Sequence, residues 1–101
     1  MSDLTPRVLE EIAQERAWRK TRWANQSFPD GTGARASRET AEEARRWRQT
    51  ASRTGNLRWR DMLTEEVYAA FAESDPVRLR ARLTNVAAVA VAWVEDIEAR
   101  Q

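Results

Sequence analysis

The chain has 101 residues, and its 17 basic side chains nearly balance its 16 acidic ones, which leaves a net charge of +1. It contains neither cysteine nor histidine, and this excludes disulfides, thiol nucleophiles, histidine general bases and zinc sites of the usual ligand types. Any metal ion would have to be held by oxygen atoms, which favours magnesium or manganese.

The first predicted helix covers residues 5–23. Thr5 followed by Pro6 is typical of a helix start. One side of this helix carries residues at helical spacing, namely Val8, Leu9, Ile12, Ala13, Arg16, Ala17 and Lys20. Residues 1–12, MSDLTPRVLEEI, lack the basic-then-apolar pattern of a secretion signal, so we expect a cytoplasmic protein.

A loop is predicted over residues 24–37 and a second helix over residues 38–54. The loop contains three residues that favour turns: Pro29, Gly31 and Gly33. Thr40 and Glu43 form a candidate capping box for the helix, and Gly55 is placed to end it. Three of its side chains are predicted to face inward: Ala44, Trp47 and Ala51.

A third helix is predicted over residues 58–73, because apolar residues recur there at intervals of three and four. These residues are Trp59, Met62, Leu63, Val67, Ala70 and Phe71. At 100° per residue Glu66 falls on the same face, and Glu65 lies at its border. A carboxylate directed inward needs a metal ion, an arginine or a water-filled cleft, since an unpaired buried charge is strongly unfavourable.

The fourth helix is predicted over residues 76–99, with Asp75 as its N-cap and Pro76 in its first turn. Residues 86–94, VAAVAVAWV, are apolar all round, which in a soluble protein indicates a helix enclosed by others. They are too few for a membrane span, which needs about 20 apolar residues. Their small alanines allow another helix to approach closely, either from the same chain or from a second copy.

Charge is unevenly distributed along the sequence. Residues 35–60 carry eight arginines and three glutamates, whereas residues 61–101 carry four arginines and eight acidic residues. Packing of the basic segment on the acidic one, or on a partner subunit, would account for this. The alternative is a phosphate-binding surface, in which Trp47 stands among Arg38, Arg45, Arg46, Arg48 and Arg53. The small net charge makes nucleic acid the less favoured partner.

Together these elements predict an all-α, four-helix, bundle-like domain over residues 1–101, without strands. Five tryptophans are expected to supply much of the core volume: Trp18, Trp23, Trp47, Trp59 and Trp93. A chain of this length buries only about two-thirds of its surface, so we expect a homodimer or a higher oligomer.

Two blocks of the sequence resemble the small actinobacterial or phage proteins related to MazG-type, all-α nucleoside triphosphate pyrophosphohydrolases. Residues 15–33, ERAWRKTRWANQSFPDGTG, are similar to the family pattern E-R-x-x-Q-D-x-x-W-G-x-Q-x-x-P-D-G. Residues 59–97 are similar to W-x-D-I-L-x-E-E-V-x-E-A followed by L-R-x-E-L-x-Q-V-A-A-V-A. The resemblance implies that acidic residues of two adjacent helices bind magnesium and that a nucleotide is cleaved at its α–β phosphoanhydride bond, releasing pyrophosphate.

Glu65 and Glu66 match the paired acids of the family, so they are the candidate catalytic residues and the metal ligands if a metal is retained. At other positions this chain departs from the acids and amides of the family pattern. The residues there are Ala69, Arg82 and Asn85 in the second block, and Arg19 and Lys20 in the first. Affinity for a hard divalent cation follows the number of charged oxygen ligands. The replacements therefore predict a degenerate metal site.

Three functions are compatible with these residues. The favoured one is a catalytically degenerate or repurposed MazG-like protein that binds an anionic, nucleotide-like molecule or a partner protein, without a cofactor. Its expected binding residues are Arg19, Lys20, Trp23, Trp59, Tyr68, Arg82 and Asn85. In a purely structural version, Glu66 and Arg82 form a buried ion pair in place of the metal. The alternatives are an active magnesium-dependent pyrophosphohydrolase, with Asp61, Glu73 or Asp96 as further ligands, and an arginine-rich nucleic-acid-binding or regulatory protein.

Overall fold

A computed structural model describes residues 3–23 and 27–101, except for the side chain of Trp23. It contains four α-helices, which are α1 Thr5–Trp23, α2 Arg35–Arg53, α3 Trp59–Phe71 and α4 Pro76–Ala99. The described residues include no β-strand, so the predicted all-α class is confirmed. Over the same ranges, no helix combines the length and the apolar character that crossing a membrane requires.

Two of the predicted helix ends are confirmed by their hydrogen bonds. Asp75 caps α4, because its carboxylate accepts the N–H of Arg78 at 3.0 Å. Gly55 follows the end of α2 with a φ of +75°, a left-handed conformation that glycine adopts without strain. The N–H of Asn56 then donates to the carbonyl of Ala51 at 2.8 Å, which satisfies a carbonyl of the last helical turn.

The start of α2 differs from the prediction. The helix begins at Arg35 rather than at residue 38. The predicted capping box is wrong, because Thr40 lies inside the helix and its hydroxyl donates to the carbonyl of Ala36 at 2.9 Å. Threonine makes this bond to the preceding turn readily, so a threonine followed by a glutamate three residues later does not by itself define a helix start.

Contacts divide the chain into two compact units. The first consists of Met1–Asp30 with Val91–Gln101, and the second consists of Gly31–Ala90. Helix α4 thus contributes its last turns to the first unit and its earlier turns to the second. That the chain folds as a single domain stays a prediction.

In the first unit, α1 packs on the last turns of α4. The hydroxyl of Thr5 donates to the carboxylate of Glu95, and Arg7 forms an ion pair with Glu98 at 2.9 Å. The buried apolar side chains of this unit are Val8 and Val91. A hydrogen bond and an ion pair therefore join the start of α1 to the last turns of α4.

The second unit is built on the hairpin of α2 and α3, which pack against each other. Its buried apolar side chains are Ala44, Ala70 and Leu79. The loop before α2 is tied to the end of α3. The N–H of Gly33 donates to the carbonyl of Phe71 at 2.9 Å, and the hydroxyl of Thr32 donates to the carbonyl of Glu73 at 2.6 Å. These bonds anchor a segment that has no helix or strand of its own.

The tryptophans do not form the predicted core. Trp47 is 67% exposed and Trp18 is 52% exposed, so the expectation is wrong for both. Trp59 and Trp93 are half-buried. The side chain of Trp23 lies outside the described residues. An amphipathic ring often serves as a contact surface rather than as core volume, and sequence periodicity does not separate these two roles.

Several faces predicted to be enclosed are open. Within residues 86–94, Ala87 and Ala88 are exposed, so this segment is not surrounded by its own chain. On α1, Leu9 and Ile12 lie on the predicted inward side and are nevertheless exposed. Helical periodicity alone therefore does not tell which apolar faces are covered by the same chain.

Candidate functional site

A groove of about 430 Å³ lies on the α2–α3 hairpin. Its volume is within the usual range of ligand pockets, about 300–1,000 Å³. Helix α2 contributes Thr40, Glu43, Ala44, Trp47 and Arg48 to the lining. Helix α3 and the residue before it contribute Arg58, Arg60, Asp61, Thr64 and Tyr68. The lining therefore combines three guanidinium groups, two aromatic rings and hydroxyl groups with two carboxylates.

Helical spacing explains why these side chains meet. On each helix the lining positions are separated mainly by three or four residues, and such positions share one face. They are residues 40, 44, 47 and 48 of α2 and residues 60, 64 and 68 of α3. Ala44 is buried at the hairpin interface, and its short side chain leaves room beside the longer side chain of Trp47.

Two aromatic rings give the groove an apolar character. Trp47 is mostly exposed, so its indole is available to a ligand. Tyr68 is half-buried and packs edge-on against Phe71, with ring centroids 6.1 Å apart and an interplanar angle of 69°. This contact fixes the tyrosine ring, whereas the tryptophan ring has an open surface for stacking.

The arginines of the groove have different partners. Arg58 forms an ion pair with Asp61 at 3.4 Å, and its backbone N–H donates to the same carboxylate at 3.1 Å. Asp61 thereby satisfies an N–H group at the start of α3. Arg60 has no acidic partner among the described residues. Arg60 is therefore available to a ligand anion, although the same lining also contains the carboxylates of Glu43 and Asp61.

Glu65, one of the two candidate metal ligands, is paired with an arginine of α2. Its carboxylate lies 3.4 Å from the Nε of Arg48. That Nε is buried and makes no hydrogen bond, so the contact is an ion pair with unfavourable hydrogen-bond geometry. An arginine at this position compensates the carboxylate charge that a metal ion would otherwise compensate.

Glu66, the other candidate, is half-buried and forms no ion pair within the described part of the chain. The hypothesis of a Glu66–Arg82 pair is wrong, because Arg82 lies 3.7 Å from Glu73 instead. Glu73 stands in the link between α3 and α4, where its carboxylate also accepts the N–H of Asp75 at 3.3 Å. Arg82 thus stabilises the helix break rather than the acidic pair.

The other predicted binding residues are distributed over both units. Tyr68 lines the groove, Trp59 is half-buried and Asn85 is exposed. Arg19 and Lys20 belong to the first unit, where Arg19 forms an ion pair with Glu15 at 2.9 Å. The side chain of Trp23 is outside the described residues. Over residues 3–23 and 27–101, no three acidic side chains are placed to hold a metal ion together.

Comparisons with protein-family models, curated proteins and solved structures find no match to this chain. The resemblance to MazG-type proteins therefore stays a prediction.

Arg58, Arg60, Thr40 and Thr64 are groove residues that the sequence did not single out as ligand contacts. Positions 60, 64 and 68 repeat at helical spacing, so this face of α3 is readable as polar once the helix is assigned. That this face of α3 lies beside Trp47 cannot be predicted from the sequence, because it depends on how α2 packs on α3.

Proposed function

We propose that this protein is a non-catalytic, MazG-like binding protein that holds an anionic, ring-bearing small molecule of the nucleotide type in the α2–α3 groove. The observation that carries the proposal is the meeting of Trp47 and Tyr68 with Arg48, Arg58 and Arg60 in one cavity. Nucleotides combine a flat ring with phosphate oxygens, and these residue types recognise both parts.

The groove chemistry favours phosphate over other anions. A guanidinium group presents a planar fork of N–H donors that fits phosphate oxygens in pairs. Arg60 is free of acidic partners among the described residues, and the hydroxyl of Thr64 lies on the same face of α3. An aromatic ring on the ligand would stack on Trp47, which is otherwise left in water.

The pairing of the acids supports binding without hydrolysis. A MazG-type reaction needs several carboxylates around divalent ions. Here Arg48 compensates Glu65, and positions where the family pattern carries further acids are occupied by Ala69 and Arg82. We infer that arginine charge has taken the place of metal charge in this chain, so that magnesium is not required for binding.

We expect Arg60→Ala to weaken nucleotide binding about tenfold or more, the usual effect of losing one charge-assisted hydrogen bond. Isothermal titration with nucleoside mono-, di- and triphosphates in the presence of EDTA measures this. Arg80→Ala is the matched control, because it removes the same charge from an exposed position on α4 that does not line the groove. Equal nucleotide affinities of the two variants would contradict binding in the groove.

The same titration repeated with magnesium separates binding from catalysis. For a binding protein of this kind, magnesium bound to the phosphates is not expected to raise the affinity. Magnesium-dependent release of pyrophosphate, abolished by Glu66→Gln, would instead establish the hydrolase alternative.

We also infer a homodimer. Many large apolar side chains of the described residues are exposed, including Leu9, Ile12, Phe28, Leu57, Phe71, Val77 and Leu83. Self-association would remove part of this surface from water, at about 25 cal/mol per Å². Light scattering at micromolar concentration is expected to give twice the chain mass of 11.7 kDa, and a monomeric mass would contradict the inference.

A further inference from the structure

The α2–α3 groove contains two carboxylates, although its proposed ligand is an anion. They belong to Glu43 and Asp61. Asp61 is engaged at the start of α3, where it pairs with the side chain of Arg58 and accepts the backbone N–H of the same residue. Glu43 is exposed and forms no ion pair with any residue that the structure describes. A free negative charge in an anion site is unfavourable unless the ligand offers it hydrogen-bond donors.

Glu43 lies beside the exposed ring of Trp47. The two residues are four positions apart on α2, so their side chains are neighbours on one face of the helix. Both line the groove, and the indole of Trp47 is mostly exposed. A flat ring that stacks on Trp47 can therefore turn one edge toward the carboxylate of Glu43.

Positive and negative charge are separated along the groove. Helices α2 and α3 are joined by the short turn of residues 54–58 and pack against each other, so they run antiparallel. Arg60 lies next to this turn, whereas Glu43 lies about 15 Å before the end of α2 along the helix axis. Trp47 lies between them, about 6 Å from Glu43 along the same axis. The phosphates and the ring of one ligand thus have separate places.

Guanine is the base whose edge fits a carboxylate best. Its N1–H and its 2-amino group are adjacent donors, and the two oxygens of a carboxylate accept them as a pair. Adenine carries an acceptor nitrogen at position 1 and no 2-amino group, so the same carboxylate would face a lone pair. The neutral pyrimidine bases offer no adjacent pair of donors. A carboxylate at this edge therefore selects by attraction to one base and by repulsion of another.

We propose that the groove binds guanine nucleotides and that Glu43 determines this preference. The guanine ring stacks on Trp47, and its N1–H and 2-amino group donate to the carboxylate of Glu43. The phosphates contact Arg60 near the turn. This proposal rests on the proposed function, because it identifies the base of the nucleotide that the same groove is proposed to hold.

Isothermal titration of the full chain with guanosine, inosine and adenosine 5′-triphosphates, all in EDTA, tests the proposal. A good bidentate contact discriminates between bases by about 5- to 150-fold. The guanosine nucleotide is expected to bind more tightly than the adenosine nucleotide by a factor in this range. Inosine keeps N1–H but lacks the 2-amino group, so its nucleotide is expected to bind with intermediate affinity.

Glu43→Gln is expected to weaken binding of the guanosine nucleotide about fivefold or more without weakening that of the adenosine nucleotide. Glutamine keeps the size of the side chain but loses its charge and one acceptor oxygen. General damage to the groove would instead weaken the binding of both nucleotides. Glu42→Gln is the matched control, because it makes the same change at an exposed position of α2 that does not line the groove.

Equal affinities of the unmodified chain for the guanosine and adenosine nucleotides would overturn the proposal and leave the proposed function standing. An inosine nucleotide that binds as tightly as the guanosine nucleotide would also overturn it, since the second donor would then contribute nothing. Equal effects of Glu43→Gln and Glu42→Gln would mean that Glu43 does not contact the base, which overturns it as well. If no nucleotide binds, this proposal and the proposed function both fail.

Discussion

Replacing Gly33 by alanine is expected to destabilise the second unit by about 2–5 kcal/mol. Gly33 has a φ of +88°, where a Cβ atom costs about 1–2 kcal/mol. A Cβ built there would also lie 2.8 Å from the Cβ and 3.1 Å from the Cα of Ser74, and relieving such a clash costs about 1–3 kcal/mol. The backbone has little freedom to yield, because the N–H of Gly33 is bonded to Phe71 and its carbonyl to Arg38.

Gly31→Ala is the matched control in the same loop. Gly31 also has a positive φ, +69°, but no atom lies within 4 Å of the Cβ position. It should therefore show the conformational cost alone, about 1–2 kcal/mol. Thermal unfolding resolves the difference, since about 1 kcal/mol shifts the Tm of a chain of this size by about 4–8 °C. Equal shifts in the two variants would mean that the loop does not approach Ser74.

Leu79→Ala is expected to lower the free energy of unfolding by about 2–5 kcal/mol, the range observed for large-to-small changes at buried leucines. Leu79 is the largest of the three buried apolar side chains in the second unit and is 7% exposed. Urea unfolding with an unchanged m value measures the loss.

Leu83→Ala makes the same chemical change one turn later on α4, at a position that is 51% exposed. Below the concentration at which the chain self-associates, its effect should stay within about 0.5 kcal/mol. A cost that grows with protein concentration would indicate that Leu83 is covered by a second copy. Equal costs for Leu79→Ala and Leu83→Ala in the monomer would contradict the assignment of Leu79 to the core.

Local interactions account for the part of the fold that the sequence predicts well. The Asp75 cap and the Gly55 stop each depend on residues within a few positions, and both are present. The Thr40 capping box failed for a related reason, because the same hydroxyl has an equally local alternative inside the helix. Helix existence and type were thus predictable, whereas one boundary moved by three residues.

The candidate site was predictable only in part. Glu65 and Tyr68 were identified from the sequence, but the partner of Glu65 is Arg48 of another helix. Arg82 was expected beside Glu66 and instead forms an ion pair with Glu73 at 3.7 Å. Helical periodicity states which residues share a face of one helix. Periodicity does not indicate which face of a neighbouring helix packs against that face.

By itself, the sequence determined that this chain is helical, where α1 and α4 begin, where α3 begins to within one residue, and which faces of the helices are apolar. These properties depend on backbone dihedrals, capping bonds and a period of about 3.6 residues, all of which act over a few positions. Only the tertiary structure decided that Trp47 stands in the open, that Arg48 compensates Glu65 and that a groove forms between α2 and α3. Those outcomes depend on the packing of elements distant in sequence, where the shape and charge of both surfaces act together.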